Sequence, residues 1–130
     1  MISQTAQYAL RAIVCLAAMD GRSLTVSELA DKTSVSAEYL SKVMQALVRA
    51  DLVTSKPGKN GGFSLKPPLQ SLTLLTIIDA IDPPTASGEA FPLELQSYGH
   101  PLQPLHKKMQ QLNALWRSEC NKIPLSDIIP

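Results

Sequence analysis

The stretch Leu52-Val53-Thr54-Ser55-Lys56-Pro57-Gly58-Lys59-Asn60-Gly61-Gly62-Phe63-Ser64-Leu65-Lys66 decides the fold. Leu52 to Lys56 is strand-like. Pro57 to Gly62 is turn chemistry, and Asn60-Gly61 is a strong short-range hairpin signal. Phe63 to Lys66 alternates apolar and polar residues, as a half-buried strand does, and Pro67-Pro68 stops it. The glycine-rich turn, with Lys56 and Lys59 beside it, lets a bare backbone approach a phosphate between two cations. Standing alone, such a hairpin is equally a solvent-exposed one whose lysines guard an edge strand.

What precedes the hairpin favours the first reading. Ser36 is a good N-cap for a helix running to about Ala50. That helix has one apolar stripe (Leu40, Val43, Met44, Leu47, Val48) and a polar face bearing Glu38, Tyr39, Ser41, Lys42, Gln45 and Arg49. Lys32 to Val35 reads as a tight turn. Thr25-Val26-Ser27-Glu28 is a capping box that opens a shorter helix. Further back, Ser3 to Met19 is apolar over most of a helical circumference and is expected to be buried against several partners. Asp20-Gly21 ends it.

Downstream, Thr73 can cap a short helix from Leu74 to Ile81, closed by Asp82-Pro83-Pro84. Few periodic apolar residues follow until Leu102, Leu105, Met109, Leu112 and Trp116, which repeat at spacings of three and four on one helical stripe. Pro124 ends that pattern, and Ser126 to Ile129 reads as a docking turn. Helix, turn, helix and hairpin in this order make a winged helix. The expected fold class is therefore mainly α with a small β-hairpin. Residues 1–83 form a winged helix-turn-helix domain, 84–98 a linker or mobile sensor loop, and 99–130 a dimerisation helix with its docking turn.

Net charge is only +1, but its distribution is uneven. From Ser36 to Lys66 five basic residues face two acidic ones, an excess of +3. From Pro67 to His106 there is no Lys or Arg, while Asp79, Asp82, Glu89 and Glu94 give −4. One surface can attract phosphates while another does not. In a helix-turn-helix the second helix enters the major groove by its first turns. Here those turns offer Ser36, Glu38, Tyr39, Ser41 and Lys42. Glu can accept from a cytosine amino group and Ser can contact several bases, whereas Lys42 and Tyr39 suit phosphates. The DNA-facing set is completed by Lys56, Lys59, Gly61 and Gly62 of the wing.

At these residues the chain resembles the winged-helix repressor family that includes IscR, NsrR and CymR. Tyr8-Ala9-Leu10-Arg11-Ala12, Leu29-Ala30, Val35-Ser36 through Tyr39-Leu40, Leu47 and Leu52-Val53 carry the likeness. Gly58, Gly61-Gly62-Phe63-Ser64-Leu65 and Leu72-Thr73-Leu74-Leu75 continue it. The resemblance implies a homodimer on a pseudo-palindromic site in double-stranded DNA. It also implies a basic wing that reaches the minor groove, and repression of transcription. The chain departs from the family at the wing tip, where Pro57 stands in place of a frequent arginine. It departs again between Gly88 and His106, where cluster-binding members carry three cysteines and this chain has none.

Only Cys15 and Cys120 occur in the whole chain. Cys15 is expected to be a small core hydrophobe, and Cys120 a packing residue or a surface thiol. His100 and His106 lack the three or four converging ligands of a metal site and are expected at the surface or an interface. No cofactor and no metal are expected. No convergent Ser/His/Asp, Cys/His or paired-carboxylate set suggests an enzyme. No apolar run is long enough for a bilayer and no signal peptide opens the chain, so the expected compartment is the cytoplasm. The competing readings are a winged-helix protein–protein adaptor, kept open by the near-neutral charge, and a cluster-dependent sensor, opposed by the missing cysteines.

Overall fold

The computed structural model describes residues 2–59, 61–84 and 100–129. Among the described residues, five α-helices, three short 3-10 turns and one antiparallel hairpin make up the architecture. Helix α1 (Gln4–Ala17) is capped by Ser3, whose hydroxyl accepts from the Ala6 N–H at 3.0 Å. Ala6, Ala9 and Ala12 are buried along it at intervals of three. Small side chains there let neighbouring helices approach closely, and α1 touches α2, α3 and α4 as well as the wing. Asp20 and Gly21, both at positive φ, turn the chain away after α1.

Helix α2 (Val26–Thr33) carries the full capping box. Glu28 N–H donates to Thr25 Oγ1 at 3.1 Å, and Thr25 N–H donates back to Glu28 Oε1 at 3.2 Å. Ser34, in the left-handed region, ends it. Ser36 then caps α3 (Ala37–Arg49) by accepting from Tyr39 N–H at 3.3 Å. Leu40, Val43, Met44 and Leu47 are the buried face of α3, as the periodicity predicts.

Strand β1 (Val53–Lys56) pairs with β2 (Gly62–Leu65), from Val53 opposite Leu65 to Lys56 opposite Gly62. The loop is Pro57 to Gly61, longer than a two-residue turn, and it closes with Gly61 N–H donating to the Gly58 carbonyl at 3.0 Å. A third segment, absent from the sequence reading, joins this sheet. Leu24 and Phe63 exchange backbone hydrogen bonds at 2.9 and 2.7 Å. The wing is thereby tied to the chain entering α2.

Helix α4 (Leu74–Ile81) is capped by Thr73 and buries Ile77 and Ile78. Helix α5 (Gln103–Asn121) buries Cys120 alone. Its end is anchored to α4, where Arg117 makes a two-pronged ion pair with Asp79 at 2.8 and 2.9 Å. The tail then pairs with the start of α4. Leu125 N–H donates to the Leu72 carbonyl at 2.7 Å, and Leu74 N–H to the Ile123 carbonyl at 3.1 Å. Leu125, fully buried, is the residue that docks the tail, while Ile128 of the expected docking turn is exposed. The core therefore runs from Ile13, Leu29 and Leu47 to Ile77 and Leu125. The expected linker or sensor loop, 84–98, lies outside the described residues except for Pro84.

Candidate nucleic-acid interface

The capped first turns of α3 place Ser36, Glu38 and Lys42 in solvent, with Ser41 half-buried beside them. Tyr39 is 37% exposed. The hairpin packs through β1 against α3 and through β2 against α1, and Lys56 and Lys59 stand exposed on it. Lys66 forms an ion pair with Asp51 at 2.9 Å across the hairpin base. That pair removes one charge of each sign. The local excess is thus carried by Lys42, Arg49, Lys56 and Lys59 against Glu38. Among the described residues none of these five makes an ion pair.

The wing glycines have reasons internal to the protein. A Cβ on Gly61 would lie 2.1 Å from the Lys56 carbonyl oxygen. Gly62 has φ +125°, and a Cβ there would lie 2.5 Å from the Leu24 carbonyl oxygen. Both bare α-carbons face neighbouring backbone, and Gly61 is buried. Gly58, with φ +101° and nothing within 4 Å, is the glycine open to solvent at the tip. Gly62→Ala is expected to destabilise the domain by about 1–3 kcal/mol from the backbone conformation alone. The clash sits on the Leu24–Phe63 pairing, so the strand cannot relax without losing it. A urea-unfolding midpoint equal to that of the unaltered protein would contradict this account.

Three residues of α1 border the site and are not in the expected DNA-facing set, although Tyr8 and Arg11 carry part of the family likeness. Thr5 hydrogen-bonds the Tyr39 hydroxyl, Tyr8 packs against the Tyr39 ring, and Arg11 lies over Tyr8. The signals for them in the sequence are the polar positions on a helix apolar over most of its circumference and the Tyr8–Arg11 motif.

On α5, Leu105, Leu112 and Leu115 are 51%, 52% and 64% exposed. Leu102, Met109 and Trp116 are half-buried. Leu115, the most exposed of the helix's leucines, was not in the expected set.

A helix-turn-helix followed by a hairpin wing, with a long helix appended, defines a winged helix-turn-helix protein. The chain belongs to the Rrf2 family, described as iron-dependent transcriptional regulators, whose model matches residues 2–130. It is 42% identical over 60 residues to YwgB of Bacillus subtilis (strain 168), named as a candidate HTH-type transcriptional regulator. The aligned segment is 46% of this chain and only 38% of YwgB. Among solved structures, CymR of B. subtilis, the global cysteine regulator, superposes with a TM-score of 0.78 at 22% identity. That match covers 98% of this chain and 95% of CymR. IscR of T. potens superposes with a TM-score of 0.74 at 19% identity, covering 98% of this chain and 85% of IscR. Identities this low carry the fold. The family is thus one of transcriptional regulators.

The residues present do not fit an iron–sulfur cluster, which is held by several thiolates. Cys15, expected in the core, is half-buried, because its face of α1 lines an open groove with Leu10, Arg11, Val14, Lys32 and Thr33. Cys120 is buried at the far end of the fold's chain order, on α5 beside Arg117. Burial pushes its thiol pKa up, against the opposing pull of Arg117. Among the described residues no group of three or more His, Cys, Asp or Glu could hold a metal ion. His106 is half-buried on α5, and the His100 side chain, Glu89 and Glu94 lie outside the described residues. No helix among them is long and apolar enough to cross a membrane.

Proposed function

We propose that the protein is a sequence-specific DNA-binding repressor, acting as a homodimer on a pseudo-palindromic duplex site in the cytoplasm and without an iron–sulfur cluster. One observation carries the reading. The exposed first turns of α3 and the exposed wing lysines belong to one small domain, and among the described residues their cations make no ion pair. Glu38, Ser36 and Ser41 are the residues for base edges. Lys42, Lys56 and Lys59 neutralise phosphates, and the wing approaches the backbone with Gly58 open at its tip while Gly61 and Gly62 hold the hairpin from within. Tyr39 lies at the same surface. Residues 1–83 carry this contact and 99–130 the assembly, through Leu102, Leu105, Met109, Leu112 and Trp116, to which Leu115 is added. Residues 84–98 are left as the place where a signal could enter.

Support for acting without a cluster comes from the thiol count and from the different elements that carry Cys15 and Cys120. Selection of bound duplexes from a random pool, using protein purified anaerobically, tests the whole reading. The expected result is a colourless protein that enriches a two-fold symmetric site, with base preference altered by Glu38→Gln or Ser41→Ala. No enrichment at low salt would favour the adaptor reading instead. A brown protein with stoichiometric iron and sulfide would overturn the cluster-free claim.

A further inference from the structure

Helix α1 meets the first turn of α3 through a polar cluster. The Tyr39 and Thr5 hydroxyls hydrogen-bond to each other across the two helices. The Tyr39 ring stands edge-on to Tyr8, with centroids 5.4 Å apart and planes at 90°. Tyr8 is held in turn, since Gln4 Nε2 donates to its hydroxyl at 2.7 Å. The Arg11 guanidinium carbon lies 5.5 Å from its ring centre. Tyr39 N–H also donates to the Ser36 hydroxyl that caps α3. Both the backbone N–H and the hydroxyl of Tyr39 therefore have a partner within the protein.

Stability alone does not require this cluster. The Thr5–Tyr39 bond is exposed, where water can satisfy both hydroxyls, so its net contribution to folding is small. Its geometric effect is larger. The apolar face of α3 fixes how deep the helix sits in the core. The edge-on ring contact and the hydroxyl bond add a second constraint on its orientation at the end that presents the first turns. Base-edge contacts need placement to within about 0.5 Å, which requires locked supporting side chains. We propose that Tyr39 is a positioning residue that does not itself contact the duplex. Through Thr5 and Tyr8, α1 sets the angle at which α3 presents Ser36, Glu38 and Lys42. The inference rests on the DNA-binding reading above and refines one residue's part in it.

The test compares affinity for the selected duplex with affinity for random duplex, across a salt series. Thr5→Val removes the hydroxyl at nearly constant shape, and Tyr39→Phe keeps the ring contact. Each is expected to lower the preference for the selected duplex roughly two- to fivefold, the net weight of one exposed hydrogen bond. Affinity for random duplex and the salt slope stay unchanged. The double variant should be no worse than either single one, because one bond is lost in all three. Thr5→Ser, which keeps the hydroxyl, should bind as the unaltered protein does. Equal losses on both duplexes with a shallower salt slope for Tyr39→Phe would show that its hydroxyl meets phosphate, and would overturn the proposal. So would a Thr5→Val protein that binds normally. An unaltered protein that prefers no duplex would sink the DNA-binding reading first, a result told apart by measuring it before any variant.

Discussion

Replacing Leu105 and Leu112 together by Lys is expected to convert the protein to monomers in sedimentation at about micromolar concentration, with its helical signal intact, on the isologous interface such dimers use. Helix α5 has 19 residues, so it is about 28 Å long. Its end is anchored to α4 through Arg117 and Asp79, yet Leu105 and Leu112 remain half exposed. The two positions are seven apart and lie on one side of the helix. Burying a leucine side chain is worth about 1.5–3 kcal/mol, and a two-fold axis doubles every contact. Lys at the same positions would bring like charges together across that axis. Folding of the domain is spared because neither leucine belongs to its core. Loss of the dimer uncouples the two half-sites, so affinity for the symmetric duplex should fall by roughly 100-fold or more. An unaltered protein that already sediments as a monomer would show that these leucines do not serve self-association.

Lys56→Ala with Lys59→Ala is expected to weaken binding to selected and random duplexes alike, roughly ten- to hundredfold near 0.1 M salt. Each phosphate contact contributes about 0.9 to the slope of log affinity against log salt. The double variant should therefore bind with a slope shallower by about 1.8 if both lysines touch phosphate. Both side chains are exposed and neither forms an ion pair among the described residues, so thermal stability should not change. Pro57 between them supplies no donor. Lysine is also a point charge, without the planar fork that suits a narrow minor groove. The loss should therefore be indifferent to sequence. A salt slope equal to that of the unaltered protein, or a loss confined to one duplex, would remove the wing from the interface.

Much of the fold is legible because its signals are local. A capping box needs only Thr25 and Glu28, three residues apart. The Ser36 and Thr73 caps reach no further. The buried stripe of α3 follows from helical spacing, and the hairpin from its turn chemistry. The candidate site is legible to the same extent, since the order of elements places Ser36, Glu38, Lys42, Lys56 and Lys59 at the start of α3 and on the hairpin. Assignment of Gly61 and Gly62 was less direct. Their need for a missing Cβ comes from Lys56 and Leu24, and the Leu24 approach is a contact between distant segments.

The sequence by itself determined the caps, the periodicities, the hairpin and the shortage of thiols, each a property of neighbours within a turn or of composition. Only the tertiary structure decided which polar side chains meet. The Thr5–Tyr39 bond, the Leu24–Phe63 pairing and the docking of Leu125 beneath Leu72 join segments far apart in the chain. The same holds for the exposure of Leu115, which depends on the side of α5 that α4 covers. Such contacts depend on how whole helices pack, and no local propensity encodes that arrangement.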